Sequence, residues 1–307
     1  MANEVTYASI GDLTVAAALS NQFLLLLADA AALPNHPALF DAGMVPAFGA
    51  SSVIKVPHIG LMGVDIDAVT ADGVAVANSA LTDGSTSITI ARYSKSYEAT
   101  DLARMTQGGL LNIEMFAQDA VVSAAATLTE LMAALMGSFS SVVGTSGANA
   151  TMQNFLDAIT TLEVAKVQGP YMAFLHPQQW GDIRADLALN AGGAVQFDPA
   201  TAALIATRGI GFQGTLAGVD VFTSTRIPTA NAGADRAGGM FGRGAVGFAR
   251  GTIANDYPSG QSVVLGDQVL FERSRTAKSG LTAYVSHVYL GVSEMIDAAG
   301  VSIITDA

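Results

Sequence analysis

The sequence predicts an α+β fold built around one long helix, many short strands and an extended two-stranded ribbon. Three observations carry this. Apolar residues recur at three- and four-residue spacing over residues 110–136, strand-like pieces alternate with glycine turns through the last third of the chain, and the stretch after Pro57 consists almost wholly of small and β-prone residues.

Residues 1–50 begin with an Ala/Leu-rich stretch, 12–33, with Asp12 at its start and Pro34 just past its end, which reads as a helix. Leu24, Leu25, Leu26 and Leu27 make it apolar on more than one side, so burial in its own subunit or against a neighbour is expected. Pro34, Pro37 and Pro46 then punctuate an extended, loop-like passage. Residues 51–56 read as a strand, and 87–99 as another, with Ile88 and Ile90 on one face. From Pro57 to Ala91 there is no Lys, Arg or Glu, and Asp72-Gly73 and Asp83-Gly84 are turn signals, so the stretch reads as a long, irregular hairpin. An isolated two-stranded ribbon is marginal in water. Val64, Val69, Val74, Val76 and Leu81 are therefore interface candidates that need a partner surface.

Residues 110–136, closed by Gly137, form a helix about 40 Å long at 1.5 Å per residue. Ile113, Phe116, Ala120, Ala124, Leu128, Leu131 and Leu135 fall on one stripe, which implies packing across a sheet. Residues 138–149 are small and polar and read as a linker or mobile loop. A helix follows at 151–166 with Phe155, Ile159 and Leu162 aligned, then a buried strand at 171–175. Pro177 opens a further helix with Trp180, Ile183 and Leu187 inward, and Asp198-Pro199 announces another at 200–207. Strand-like pieces come next at 212–216, 219–225, 240–241, 263–271, 281–292 and 301–304. Gly108-Gly109, Gly192-Gly193 and Gly238-Gly239 have the backbone freedom of joints.

Only 13% of the residues are charged, against roughly 25% in an average soluble domain, and the mean hydropathy is +0.42. Run lengths nevertheless argue against a membrane. A spanning helix needs about 20 nearly uninterrupted apolar residues, whereas the two greasiest stretches carry Asn21, Gln22 and Asp29, and Thr127, Thr129 and Glu130. Glu4 and Asp12 stand where a signal peptide would be cationic, so a soluble protein made in the cytoplasm is expected. A net charge of -12, with no basic side chain before Lys55, disfavours direct recognition of DNA or RNA, because non-specific affinity comes mostly from neutralising phosphates. With no cysteine, disulfides, thiolate catalysis and Cys-ligated zinc are excluded together.

Motifs for chemistry are sparse. Gly242-Arg243-Gly244-Ala245-Val246-Gly247 has G-x-G-x-x-G spacing, but a dinucleotide fingerprint needs a long helix after it and Gly251 interrupts too soon, so it reads as a tight turn. His36, His58, His176 and His287 lie far apart, none at metal-ligand spacing from another, and His176 reads as a helix cap. Asp65 and Asp67 alternate on a strand-like run and read as a solvated turn face before a cation site. Arg273 and Arg275, at alternate positions of a strand-like run, read as an inter-subunit ion pair before a phosphate clamp, and Arg92 joins them as an interface candidate. No catalytic, cofactor-binding or metal site is expected. A nucleotide-dependent enzyme using the 242–247 loop is the alternative from another class.

Taken in order, these pieces resemble the major capsid protein of tailed double-stranded DNA bacteriophages, the Hong Kong 97-like fold. The resemblance rests on the strand at 51–56, the hairpin returning through Ile88-Thr89-Ile90-Ala91-Arg92-Tyr93 into Tyr97-Glu98-Ala99-Thr100-Asp101, the long helix, Tyr171-Met172-Ala173-Phe174-Leu175-His176-Pro177 with Trp180, and Leu216-Ala217-Gly218-Val219-Asp220-Val221 before Ile227-Pro228. It implies an N-terminal arm (1–50), an extended loop with flanking strands (51–99), a peripheral domain with a spine helix (100–145 and 261–292) and an axial domain (146–260 and 293–307). It also implies hexamers and pentamers of the chain closing into an icosahedral virion shell. Further implied partners are a portal, non-specifically contacted double-stranded DNA and, since no charged helical segment precedes the arm, a separate scaffolding protein. An encapsulin-like nanocompartment is the nearest alternative. Some members of the family join subunits through a loop Lys and a neighbour's Asn. Residues 57–91 contain no Lys, so a shell of this chain is expected to run as monomer after boiling in SDS; a ladder above the monomer would overturn this.

Overall fold

The computed structural model describes residues 36–45, 52–59, 83–102, 113–190, 197–208, 211–251, 262–265 and 269–306. The helix expected at 12–33, the five interface candidates of the hairpin, Asp65 and Asp67 lie outside them. In chain order the strands are β1 (Phe40–Val45), β2 (Val53–Ile59), β3 (Asp83–Thr89) and β4 (Ala91–Thr100), followed by helix α1 (Ile113–Leu135). Then come β5 (Val142–Val143), α2 (Met152–Val164), β6 (Tyr171–Leu175), α3 (Pro177–Asn190), β7 (Phe197–Pro199), α4 (Ala202–Arg208), β8 (Phe212–Leu216) and β9 (Val219–Thr223). The chain closes through β10 (Thr229–Ala230), β11 (Asp235–Phe241), β12 (Val246–Gly251), β13 (Ser262–Leu265), β14 (Val269–Thr276), β15 (Leu281–Glu294) and β16 (Gly300–Asp306). No helix among the described residues is long and apolar enough to cross a membrane.

The first sheet runs β1-β12-β15-β14-β13, with β4 on the remaining edge of β15. In β15, Thr282, Tyr284, Ser286, Val288 and Leu290 are buried and the residues between them half-buried, the period-two signature of a strand with one covered face. Helix α1 provides that cover. Its buried stripe is Ala120, Leu128, Met132, Ala133 and Met136, whereas the expected stripe ended on Leu131 and Leu135. The difference arises because the helix end turns toward the second sheet, so Met132 and Met136 share a core with Phe139, Phe174 and Phe241 while Leu131 and Leu135 stay half-buried.

The second sheet runs β5-β16-β11-β6-β9-β8-β7. Strand β6 is buried on both faces, and α2 and α3 cover one of them with Phe155, Ala158, Leu162, Trp180 and Ile183. Thr151 caps α2 by accepting from the Asn154 amide (3.2 Å). His176 caps α3 as expected: its Nδ1 accepts from the Gln178 amide (3.3 Å), and burial, then the Arg236 charge, push the imidazole pKa down, which keeps that nitrogen unprotonated. Gln179 is fully buried, and Arg236 O, Ile303 O and Thr305 Oγ1 share the two N–H donors of its Nε2, tying α3 to β11 and β16.

Several expectations change. The single strand expected at 263–271 gives way to two antiparallel strands, β13 and β14, with Leu265 paired to Val269. The loop-like passage after Pro37 contains β1, which needs a parallel partner, β12, that no local pattern announces. Gly238-Gly239 is not a joint; a Cβ on Gly238 would fall 2.5 Å from Gln179 Oε1 and one on Gly239 3.1 Å from Met136 O, so both are close-packing glycines inside β11. The 138–149 segment is tied down throughout. The single Ser302 hydroxyl donor is shared between Met136 O (2.7 Å) and Phe139 O (3.3 Å), the Ser140 amide donates to Asp297 (2.8 Å), and the Gly147 amide (2.9 Å) and Ser146 Oγ (2.6 Å) donate to the buried Asp235.

Hydrogen bonds from Ser146, Asn231 and the Gly147 amide hold the Asp235 carboxyl below its ordinary pKa. A depressed carboxyl stabilises the fold above its unfolded pKa, and that contribution is lost as pH falls through the folded value. Unfolding of Asp235→Asn is therefore expected at a lower midpoint than the parent at pH 7, with the difference shrinking below about pH 4, the ordinary aspartate value. Urea titrations of both proteins across pH 2–7 check it; equal midpoints at pH 7 would contradict it.

Candidate assembly surface

Among the described residues the sequence candidates for chemistry do not come together. In the G-x-G-x-x-G segment, Gly242 abuts Val167 and Tyr171, Gly244 turns the chain at φ +88°, and Gly247 lies within β12. The amides of Gly242, Arg243 and Ala245 already donate to Ala299 O, Gln168 O and Gly242 O, and a strand follows where a phosphate site needs a helix. Among the described residues no group of three or more His, Asp or Glu side chains could hold a metal ion.

What the fold does build is a seat for the extended hairpin. Among the described residues, strands β2 and β3 pair only with each other, in register from Val53↔Thr89 to Ile59↔Asp83. At Ile90, whose amide donates to Ser52 O (2.8 Å), the chain changes partner and continues as β4 on β15. The single strand expected at 87–99 is thus two, divided where the backbone passes from ribbon to sheet. The ribbon root crosses the face of the first sheet opposite α1, and glycines make the crossing possible. A Cβ on Gly291 would fall 2.6 Å from Thr89 O, and one on Gly247 2.9 Å from Ile88 Cδ1. Ile88 is completely buried in this notch, and Thr86 Oγ1 donates to Met295 O (3.2 Å) beside it.

The remaining interface candidates do not converge. Arg92 is exposed on β4 opposite Tyr289, on the face away from α1. Arg273 and Arg275 lie in β14 opposite Tyr284 and Thr282, on the α1 face. Arg275 bonds Asp101 of its own chain (2.7 Å); an exposed pair of this kind contributes between nothing and about 1 kcal/mol.

Sequence reasoning missed a clasp between the arm and the second sheet. His36 is buried, edge-on to Phe222, with Nε2 donating to Asp220 Oδ2 (2.9 Å) and Nδ1 accepting from the Ala38 amide (3.2 Å). Burial alone would raise the Asp220 pKa, but hydrogen bonds from His36 and Arg208, the Arg208 charge and Thr215 together hold it below the ordinary value. The 184-residue separation left no local signal for it.

Filling the notch tests the seat. Gly291→Val places two methyl groups where Thr89 and Ile88 lie, and is expected to detach the ribbon root while β15 retains its ladder. Limited proteolysis should then cut between residues 45 and 91 at least several-fold faster than in the parent; an unchanged rate would contradict the seat.

No protein-family model matches the chain, and no curated protein resembles it in sequence. Solved structures do match in shape. The chain aligns with the capsid structure of Cyanophage P-SCSP1u over 86% of each chain at 12% identity and a TM-score of 0.58. It aligns with the head structure of Helicobacter pylori bacteriophage KHP40 over 88% of this chain and 89% of that one, at 12% identity and TM-score 0.57. The holo-SrpI encapsulin complex from Synechococcus elongatus PCC 7942 matches over 86% and 85%, again at 12% identity and TM-score 0.57. The likeness in shape extends over 86–88% of this chain, and the protein has the α+β, Hong Kong 97-like fold.

Proposed function

We propose that this chain is the major capsid protein of a tailed double-stranded DNA bacteriophage, a structural protein that assembles with copies of itself into the head shell. The observation that carries the reading is a ribbon whose two strands find no partner in the rest of the described chain, rooted in a glycine notch and continuing into an apolar, Lys-free loop. Such a ribbon gains stability only by covering a neighbour, at about 25 cal/mol per Å² of apolar surface buried. Repeated head-to-tail contacts of this kind close into rings and shells. Phage capsids predominate among the structural neighbours, which favours a virion over an encapsulin-like compartment.

The first sheet with α1 serves as the peripheral part and the second sheet as the axial part. Residues 246–251 pair with β1 and β15, which supports reading them with the peripheral part. Portal, a separate scaffolding protein and packaged DNA complete the partners. The acidic balance suits a wall that repels packed DNA.

Electron microscopy of the purified protein decides between the readings. Closed particles enclosing nuclease-protected DNA in the native virion support the capsid; particles loaded with an enzyme and free of DNA support the compartment; a permanently monomeric protein refutes both. Val74→Asp and Leu81→Asp are expected to leave the subunit soluble and folded while reducing particle yield at least tenfold by sedimentation. Normal particles from both would refute the placement of the loop on a neighbour.

A further inference from the structure

A long strand at the edge of a sheet presents a row of unpaired amides and carbonyls on which another strand can pair, and folded proteins blunt such edges by shortness, bulges, proline or charge. Most edges of the two sheets are blunted in these ways. Strand β5 has two residues, β7 has three and ends on Pro199, β13 has four, and the pairing of β1 is broken by a register shift between Asp41 and Met44. Strand β4 is the exception. It pairs with β15 in unbroken register over ten residues, Ala91 to Thr100, contains neither Gly nor Pro, and among the described residues has no strand on its outer side. Its charges do not guard the edge either. Lys95 is drawn back onto α1, where it meets Asp119 (2.6 Å) and Ser123 (2.5 Å). Arg92 and Glu98 are exposed on the opposite face, and neither forms an ion pair among the described residues.

This edge is complementary to itself. Read against its own reverse about Lys95, it sets Ala91 opposite Ala99, Arg92 opposite Glu98, Tyr93 opposite Tyr97 and Ser94 opposite Ser96. Residues directly opposite in an antiparallel pair share a face, so each guanidinium meets a carboxylate and each ring meets a ring. Pairs of both kinds stabilise antiparallel sheets, and like charges directly opposite destabilise them. The two Lys95 side chains on the axis bring no bare charges together, because each is met by its own Asp119. Moving the axis to Ser96 would set Arg92 opposite Thr100 and Glu98 opposite Ser94, leaving both charges unmatched. A two-fold contact between identical chains requires this property, that residue i meets j while j meets i.

We propose that the outer edge of β4 is a two-fold interface with a second copy of this chain, in which two β4 strands pair antiparallel about Lys95 and the first sheets of two subunits run on as one. The contact rests on the self-assembly proposed above and goes beyond it. The ribbon covers a neighbour head-to-tail, whereas the β4 edge joins two copies symmetrically.

The absence of cysteine makes the test clean. Full-length Ser94→Cys and Ser96→Cys chains are expressed together, and the assembled protein is mildly oxidised. Cβ atoms directly opposite lie about 4.5–5.5 Å apart and diagonal ones about 7–8 Å, and a disulfide needs roughly 3.5–4.5 Å. The mixture should therefore yield disulfide-linked dimer at about five times the level of either variant alone, or more. Trypsin should then release residues 93–95 joined to 96–104, the fragments bounded by Arg92, Lys95 and Arg104. Adding Arg92→Glu or Glu98→Arg to both chains should cut the dimer at least several-fold, and adding both should restore it, because the reversed pair is again of opposite sign. No excess of dimer in the mixture, an equal yield from Ser96→Cys alone, or charge reversals without loss and rescue would each overturn the proposal. Normal particles that fail these tests strike the edge contact and leave the shell reading standing; a chain that stays monomeric refutes both. Thermal melts matched to the parent establish that the variants are folded.

Discussion

Strand β15 is the constraint on which the first sheet depends. A central strand offers two hydrogen-bonding edges and two faces, and β15 uses all four. Along one edge it pairs with β4 over ten residues, and along the other with β14 and then β12. Its buried face meets α1, and its opposite face carries the root of the ribbon at Gly291. Because the side-chain period is two, a slip of one residue would turn Tyr284, Val288 and Leu290 away from the helix and move Gly291 off the ribbon. One register therefore fixes the direction of the spine and the position of the hairpin together.

Glycine performs a second task that composition does not separate from turn-making. Gly244 and Gly280 take positive φ in turns. Gly247, Gly291, Gly238 and Gly239 are extended and serve by lacking a side chain, so that ribbon root, Gln179 and Met136 approach the backbone. The two roles alternate within residues 242–247, which is why spacing alone imitates a nucleotide loop while the structure uses every glycine for packing or turning.

Legibility followed the range of the interactions. Helices α1, α2 and α3 and strands β6, β8 and β9 were readable because their signals are local: apolar period, the His176 cap, Pro177. The hairpin was readable as a ribbon without a core, and the ordered set of pieces led to the fold that the structural neighbours share. Strand β1, the split at Ile90 and the His36–Asp220 clasp were not readable. Each is decided by a partner distant in sequence, or by a single residue at which the backbone changes partner.

The sequence by itself determined that this chain has few charges, a Lys-free stretch of small and apolar residues after Pro57, no cysteine and no P-loop motif. Periodicity and composition are additive along the chain, so they survive without coordinates. Only the tertiary structure decided where the ribbon is rooted, which face of β15 the spine helix covers, and that the 138–149 segment is bound rather than free. Those outcomes depend on register and on ångström-scale approach between residues more than a hundred positions apart, such as Ser302 on Met136 and Gly291 beneath Thr89. Packing of that kind has no one-dimensional signature.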